Sequence, residues 1–218
     1  PIILERARKG IRHNIPLATS FKVLNYLTIS PAVTIDELWY FEKLKWGLSA
    51  DQKSAVVTDT IKGFNTVLNY SGSIGIATRI YGTYFFKRKT GIQAIRHVIN
   101  PSASMSFQPN FGDPSYGYYQ RVDIPGNKNP VYKSVHDGFV YGSSRFGESA
   151  TISFGINNTL EMKVMGKKDT VAKKVSLLNT LSISSGYNMR ADSFKLAPFS
   201  MAANTNVLDN KLNINLSA

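Results

Sequence analysis

Between Ser149 and Val164 the chain reads SATISFGINNTLEMKV, and its side chains alternate in character with a period of two. Ala150, Ile152, Phe154, Ile156, Leu160, Met162 and Val164 are apolar and share one parity, which Asn158 alone breaks. The other parity holds Ser149, Thr151, Ser153, Gly155, Asn157, Thr159, Glu161 and Lys163. Successive side chains of an extended strand point to opposite faces, so the stretch reads as one strand with a greasy face and a small, polar face. At a rise of roughly 3.3 Å per residue it spans about 50 Å, against the ~17–20 Å of an ordinary strand. A strand this long requires a large sheet. Its greasy face then meets either a second sheet or lipid.

The same alternation recurs along the chain. Phe64–Phe86 reads as a single long strand with Ile74, Ile76, Ile80 and Tyr84 on one parity; the rival is a hairpin turning at Ser71-Gly72-Ser73. In Ile95–Phe107, Ala103, Met105 and Phe107 oppose Ser102, Ser104 and Ser106, with His97 out of place on the apolar side. In Val175–Met189, Val175, Leu177, Leu181 and Ile183 oppose Ser182 and Ser184. Ile11–Leu24 alternates imperfectly and Tyr26–Ile35 more cleanly, with Leu27, Ile29, Val33 and Ile35 opposite Thr28, Ser30, Ala32 and Thr34; Lys195–Val207 is less regular, and a last strand opens at Leu212. Asn tolerates left-handed backbone angles, so Leu24-Asn25 reads as a tight turn and Asp209-Asn210 as another. Pro31 marks a bulge or weakened pairing. Gly47–Lys62 reads as loop. The sum is an all-β chain of about eight long antiparallel strands joined up and down. On the lipid reading this is a segment of a larger transmembrane β-barrel, because only a closed barrel satisfies every strand's backbone in lipid.

On that reading the lipid-facing positions are Ile74, Ile76, Ile80, Tyr84, Ala103, Met105, Phe107, Ala150, Ile152, Phe154, Ile156, Leu160, Met162, Leu181 and Ile183. The lumen-facing positions are Ser102, Ser104, Ser106, Thr151, Ser153, Asn157, Ser182 and Ser184. Trp39, Tyr40, Phe41 and Trp46 cluster at a strand end. They either cap a hydrophobic core or form an interfacial girdle at headgroup depth, and the strand length favours the girdle.

Charge and chemistry narrow the function. The net charge is +12. Lys87, Arg88, Lys89, Lys167, Lys168, Lys173 and Lys174 concentrate in turns, where solvated basic residues are the ordinary outcome and contact with headgroup phosphates the sharper one. Asp169 lies among these lysines and reads as solvated. The opening stretch PIILERARKG reads as the tail of an upstream strand or loop. Pro109–Phe146 is the longest irregular stretch and carries Tyr116, Tyr118, Tyr119, Tyr132 and Tyr141. Its basic residues are scattered, which argues against a stacking platform for nucleic acid. There is no cysteine, and His13, His97 and His136 are far apart in sequence with no Asp/Glu cluster beside them. Asp36 and Glu37 adjoin, so a strand would point them to opposite faces. No catalytic motif, metal-ligand spacing or cofactor loop is present, and neither an enzyme nor a cofactor is expected. No run reaches the ~18 apolar residues of a membrane helix, which leaves a barrel open.

The segment Ala94–Tyr119, AIRHVINPSASMSFQPNFGDPSYGYY, resembles the barrel of the LptD family of lipopolysaccharide-assembly proteins, in the variant that carries a run of the form RHxxxPSxSFSYxPDF…GYY. Here the run is Arg96-His97, then Pro101 to Phe107, then Pro109-Asn110-Phe111, then Gly117-Tyr118-Tyr119. IRHNIPLATSFKVLNYLTISPAV, RIYGTYFF, NNTLEMKV and LLNTLSISSGYNMRADS are similar to the same family, so the resemblance spans nearly the whole chain. Asn110 stands where an acidic residue is common, and Met105 where an aromatic is. The resemblance implies an outer-membrane barrel of a Gram-negative bacterium that places lipopolysaccharide in the outer leaflet. It implies as partners lipopolysaccharide itself, outer-membrane lipid, a plug lipoprotein in the lumen and a periplasmic transport bridge. It also implies that residues 1–218 are part of one barrel domain, the upstream periplasmic domain and the remaining strands lying outside them. The alternatives are a porin or receptor-type barrel, and a soluble β-sandwich for adhesion or carbohydrate binding.

Overall fold

The computed structural model describes residues 9–87, 91–167, 171–207 and 212–218. Residues 1–8, Arg88, Lys89, Lys168, Asp169 and the Asp209-Asn210 turn lie outside the described residues. The strands are β1 (Gly10–Ala18), β2 (Phe21–Val23), β3 (Leu27–Leu48), β4 (Ala55–Thr78), β5 (Ile80–Phe85), β6 (Gly91–Gln108), β7 (Tyr119–Val122), β8 (Val131–Ser134), β9 (Ser149–Met165), β10 (Lys173–Asn188), β11 (Ser200–Val207) and β12 (Leu212–Ser217). Ten of them form one antiparallel sheet in the order β1-β3-β4-β6-β9-β10-β11-β12, with β2 on β3 and β5 on β6. The sheet is not closed, which fits a segment of a larger barrel. β7 and β8 form a separate two-stranded sheet.

The long strand expected at Phe64–Phe86 exists, begins earlier and breaks once, at Arg79. No hairpin forms at Ser71-Gly72-Ser73, which lies inside β4. The loop expected over Gly47–Lys62 shrinks to residues 49–54. Val56, Val57, Thr58, Thr60 and Ile61 are β-branched and favour extended backbone, but they do not alternate with polar residues, so period-two reading passes over them. Asp51 holds the turn: its carboxylate accepts from the Ser49 hydroxyl at 2.5 Å and the Lys53 N–H at 3.3 Å, and these bonds lower its pKa. At the other expected turn, Leu24 and Asn25 both take positive φ, 53° and 63°.

The chain divides into two compact units, one of residues 1–17, 32–72 and 107–149, the other of 18–31, 73–106 and 150–218.

In the first unit the core is Leu38, Tyr40, Leu44, Trp46, Val67, Val122 and Phe139. Most of the stretch expected to be irregular, Pro109–Phe146, folds here. It forms a short 3-10 turn at Pro114–Tyr116 and the β7–β8 hairpin, and it packs on β3. It also covers strand edges. Leu44 N–H donates to Val135 O at 2.7 Å, while the Gln120 amide accepts from Trp46 N–H (2.9 Å) and donates to Trp46 O (2.6 Å). On β4 the Tyr118 hydroxyl accepts from Leu68 N–H at 2.7 Å. An unpaired strand edge is a template for unwanted pairing, and these bonds occupy it.

In the second unit, register fixes the two faces. Ile156 lies opposite Ile183, Ile152 opposite Tyr187, Ile183 opposite Met201, and Ala203 opposite Leu216. On the other face Asn157 meets Ser182, Gly155 meets Ser184 and Ser153 meets Gly186. β10 carries two irregularities, between Ser176 and Leu178 and between Leu178 and Leu181. Each adds a residue and resets the alternation, so Leu178, rather than the expected Leu177, pairs with Leu160.

Candidate functional site

The polar face of the second unit forms a hollow of about 690 Å³. Ser102, Ser104, Ser153, Asn157, Ser182 and Ser184 all line it, so the structure gathers in one place six of the positions expected to share a lumen face. Ser106 and Thr151 instead bond to each other, hydroxyl to hydroxyl, at 2.7 Å. No charged residue lines the hollow among the described residues. Glycine keeps its floor low: a Cβ added to Gly155 would stand 3.1 Å from Ile183 O and 3.3 Å from Ser184 Cβ. Residues of the apolar parity border it as well: Ile76, Ala103, Phe154, Ile156 and Ile183.

The hollow continues in two directions. Ser182, Ser184 and Ser200 also border a space of about 400 Å³ with Ala202 and Ser217. On β11 and β12 the same face carries an amide ladder: Asn204 Nδ2 donates to Asn213 and Asn215, Asn179 donates to Asn204 at 3.1 Å, and Asn213 donates to Asn206. In the other direction Ala77 and Asn157 border a space of about 830 Å³ that includes Lys22 and Arg79.

A second polar cluster joins β6, β9 and β10. Arg96 Nη2 and Lys174 Nζ each reach a different oxygen of Glu161 at 2.6 Å, and Lys163 lies directly opposite Lys174. The cluster therefore holds three cations and one carboxylate. Lys173 and Lys174, read from sequence as turn residues, belong to β10; Lys87 and Lys167 lie in exposed turns.

The opposite face is greasy and open. Ile74, Ile76, Ile80, Tyr84, Met105 and Ile156 are exposed, and so is Phe107 of the first unit. Ala103, Ile152, Phe154, Leu160, Met162, Leu181 and Ile183 are half-buried, while Ala150 is buried. The two breaks in the apolar parity find each other: His97 Nε2 and Asn158 Oδ1 lie 3.2 Å apart, and Asn158 Nδ2 reaches Leu181 O at 3.3 Å. A polar pair on an apolar face thus satisfies itself.

The four aromatics of β3 divide. Trp39 and Phe41 share a parity and both pack on Phe64, at 5.7 and 6.1 Å between ring centroids. Tyr40 and Trp46 take the other parity and are buried under residues 118–142. Tyr40 donates to Gly142 O at 3.0 Å, and Trp46 Nε1 donates to Ser134 O at 2.8 Å. Protein, not a membrane interface, surrounds those two. Trp39 is half-buried and Phe41 exposed.

The histidines gather no metal site, and no group of three metal-binding side chains forms among the described residues. His13 lies 3.6 Å from Glu37, and Asp36 on the opposite face takes a two-bond pair with Arg12 at 2.8 and 2.6 Å. His136 is buried against Tyr40 and Phe139. No described helix is long and apolar enough to cross a membrane.

The family model described as LptD protein matches residues 1–218. The chain belongs to the LptD family. That is a family of transport proteins rather than a known enzyme family. No curated protein and no solved structure matches the chain. Membership agrees with the architecture: a two-faced, open antiparallel sheet whose polar side is hollow and lined by small neutral residues, with charge gathered in separate clusters.

Proposed function

We propose that this chain is part of an outer-membrane β-barrel domain that passes lipopolysaccharide to the outer leaflet in a Gram-negative bacterium, and that it is not an enzyme. The observation that carries this reading is the continuous small-residue polar hollow on strands whose other face exposes Ile74, Ile76, Ile80 and Ile156. Exposed apolar surface on this scale calls for a cover, and lipid provides one without a second sheet. A β-sandwich would instead bury that face under strands of its own, and the other described sheet is only the β7–β8 hairpin. In this reading hydroxylated sugars move along the serine, glycine and asparagine surface while acyl chains stay on the lipid side. Trp39 and Phe41 sit at headgroup depth. The plug lipoprotein and the periplasmic bridge are partners by family resemblance. No step requires a nucleophile, a cofactor or a nucleic acid.

Spin labels placed one at a time along Ser149–Val164 of the full-length protein in lipid test the reading. Labels at even positions from Ile152 to Met162 should report lipid and those at odd positions water. Shielding of the even positions from both would make the greasy face a protein core and end the transport reading.

A further inference from the structure

We propose that Arg79 and Lys22 form an anion subsite for a phosphate group carried on a saccharide, placed where the neutral hollow turns cationic. The proposal rests on the reading of the polar face as the lumen. Both residues line the 830 Å³ space together with Tyr26, Thr28, Tyr81 and Asn100, and no carboxylate lines it among the described residues. Three other arginines are ion-paired: Arg12 with Asp36, Arg96 with Glu161, a carboxylate it shares with Lys174, and Arg121 with Asp123, all within 2.8 Å. Among the described residues neither Arg79 nor Lys22 forms an ion pair.

Arg79 occupies the single-residue break between β4 and β5, on the polar parity. Its Nε donates to Asn100 Oδ1 at 3.0 Å. That bond steadies one edge of the guanidinium and leaves its two terminal nitrogens as a fork matched to phosphate oxygens, with the Lys22 ammonium as a second, point-like cation. Phenol, hydroxyl and amide groups complete a lining able to donate to an anion without repelling it. Ala77 and Asn157 border this space and the neutral hollow alike, so a ligand held at Arg79 by an anionic group would lay a neutral, hydroxylated part on the serine floor. A phosphorylated sugar has both parts.

The test uses the full-length protein with its partners in native-lipid discs. A benzophenone side chain is placed at Tyr81, beside the cations, or at Ser153, on the floor, and lipopolysaccharide crosslinking is measured. Enzymatic removal of the glycolipid phosphates should lower the Tyr81 yield about tenfold and leave the Ser153 yield within about twofold. Arg79→Gln with Lys22→Gln should do the same, and Arg79→Lys should restore part of the loss. The retained Ser153 crosslink reports that the variants are folded. Equal Tyr81 yields with and without glycolipid phosphate overturn the subsite while leaving the passage reading intact. Loss of the unmodified protein's crosslinks at both positions overturns the passage reading and the subsite with it. Inorganic phosphate that stays bound at Arg79 and Lys22 in the presence of saturating phosphorylated glycolipid reassigns the site to free phosphate and overturns the saccharide assignment.

Discussion

Acid should open the segment that covers β3, and His136 sets the pH at which it does so. The ring is 4% exposed and stacks on Tyr40 with centroids 4.6 Å apart. Its Nε2 is buried without a hydrogen-bond partner. Burial first, and the charge of Lys43 second, push its pKa down from 6.5 to about 4. The closed segment therefore favours neutral imidazole, and the opened segment takes up a proton near the ordinary value. The stabilisation is complete above about pH 6.5 and drains away as pH falls toward about 4. At pH 5 these two values weaken the closed form by roughly 2 kcal/mol relative to neutral pH, and residual solvent contact trims that to about 1–2 kcal/mol. The open fraction should then rise about 5- to 30-fold between pH 7 and pH 5. Hydrogen exchange of the 131–139 backbone, corrected for the intrinsic pH dependence of exchange, reads this directly in the full-length protein. His136→Phe keeps an aromatic ring there and removes the titration, so its protection should be flat over the same range. The reasoning fails if the unaltered protein keeps its protection at pH 5, or if His136→Phe loses protection to the same degree.

Other substitutions probe separate parts of the structure. Trp46→Phe removes the indole donor to Ser134 O, which keeps only the longer 3.3 Å bond from the Asp137 N–H; we expect a loss of about 1 kcal/mol by denaturant titration. Leu24→Gly relieves a positive φ of 53° at an exposed turn position and should slow unfolding, with a gain of about 1 kcal/mol. Gly155→Val places a branched side chain 3.1 Å from Ile183 O and into the polar hollow; outer-membrane lipopolysaccharide delivery should fall even where the protein reaches the membrane at normal levels. Glu161→Gln removes the carboxylate shared by Arg96 and Lys174, yet those partners are half exposed, so the melting behaviour should change by no more than about 1 kcal/mol.

Much of the second unit was legible because each strand there presents two chemically distinct faces. The serines of 102–106, 153 and 182–184 announce one face and the isoleucines the other, and register aligns them as the alternation implies. The pattern misleads where two physical environments favour the same residues. Leu38, Tyr40, Leu44 and Trp46 continue the parity of Thr28, Ser30 and Thr34, yet they are apolar because chain from residues 118–142 covers them. Period two reports burial but not whether lipid or protein does the burying. The packing of Pro109–Phe146 was hidden for a different reason. Its order comes from single long-range bonds such as Gln120 to Trp46 and Tyr118 to Leu68, which leave no periodic mark. The cationic space escaped notice because Lys22, Arg79 and Asn100 are far apart in sequence and meet only across strands.

The bonds that occupy the β3 edge also impose an order of events. Gln120 lies 74 residues after Trp46, and Val135 lies 91 after Leu44. Contacts at such separation form late, after closure of a long loop, whereas neighbouring strands can pair as soon as they emerge. During folding, Leu44 and Trp46 therefore wait with unpaired amides until the capping segment arrives. That interval makes the stretch from Gln120 to Val135 a timing element of folding as much as a part of the finished core.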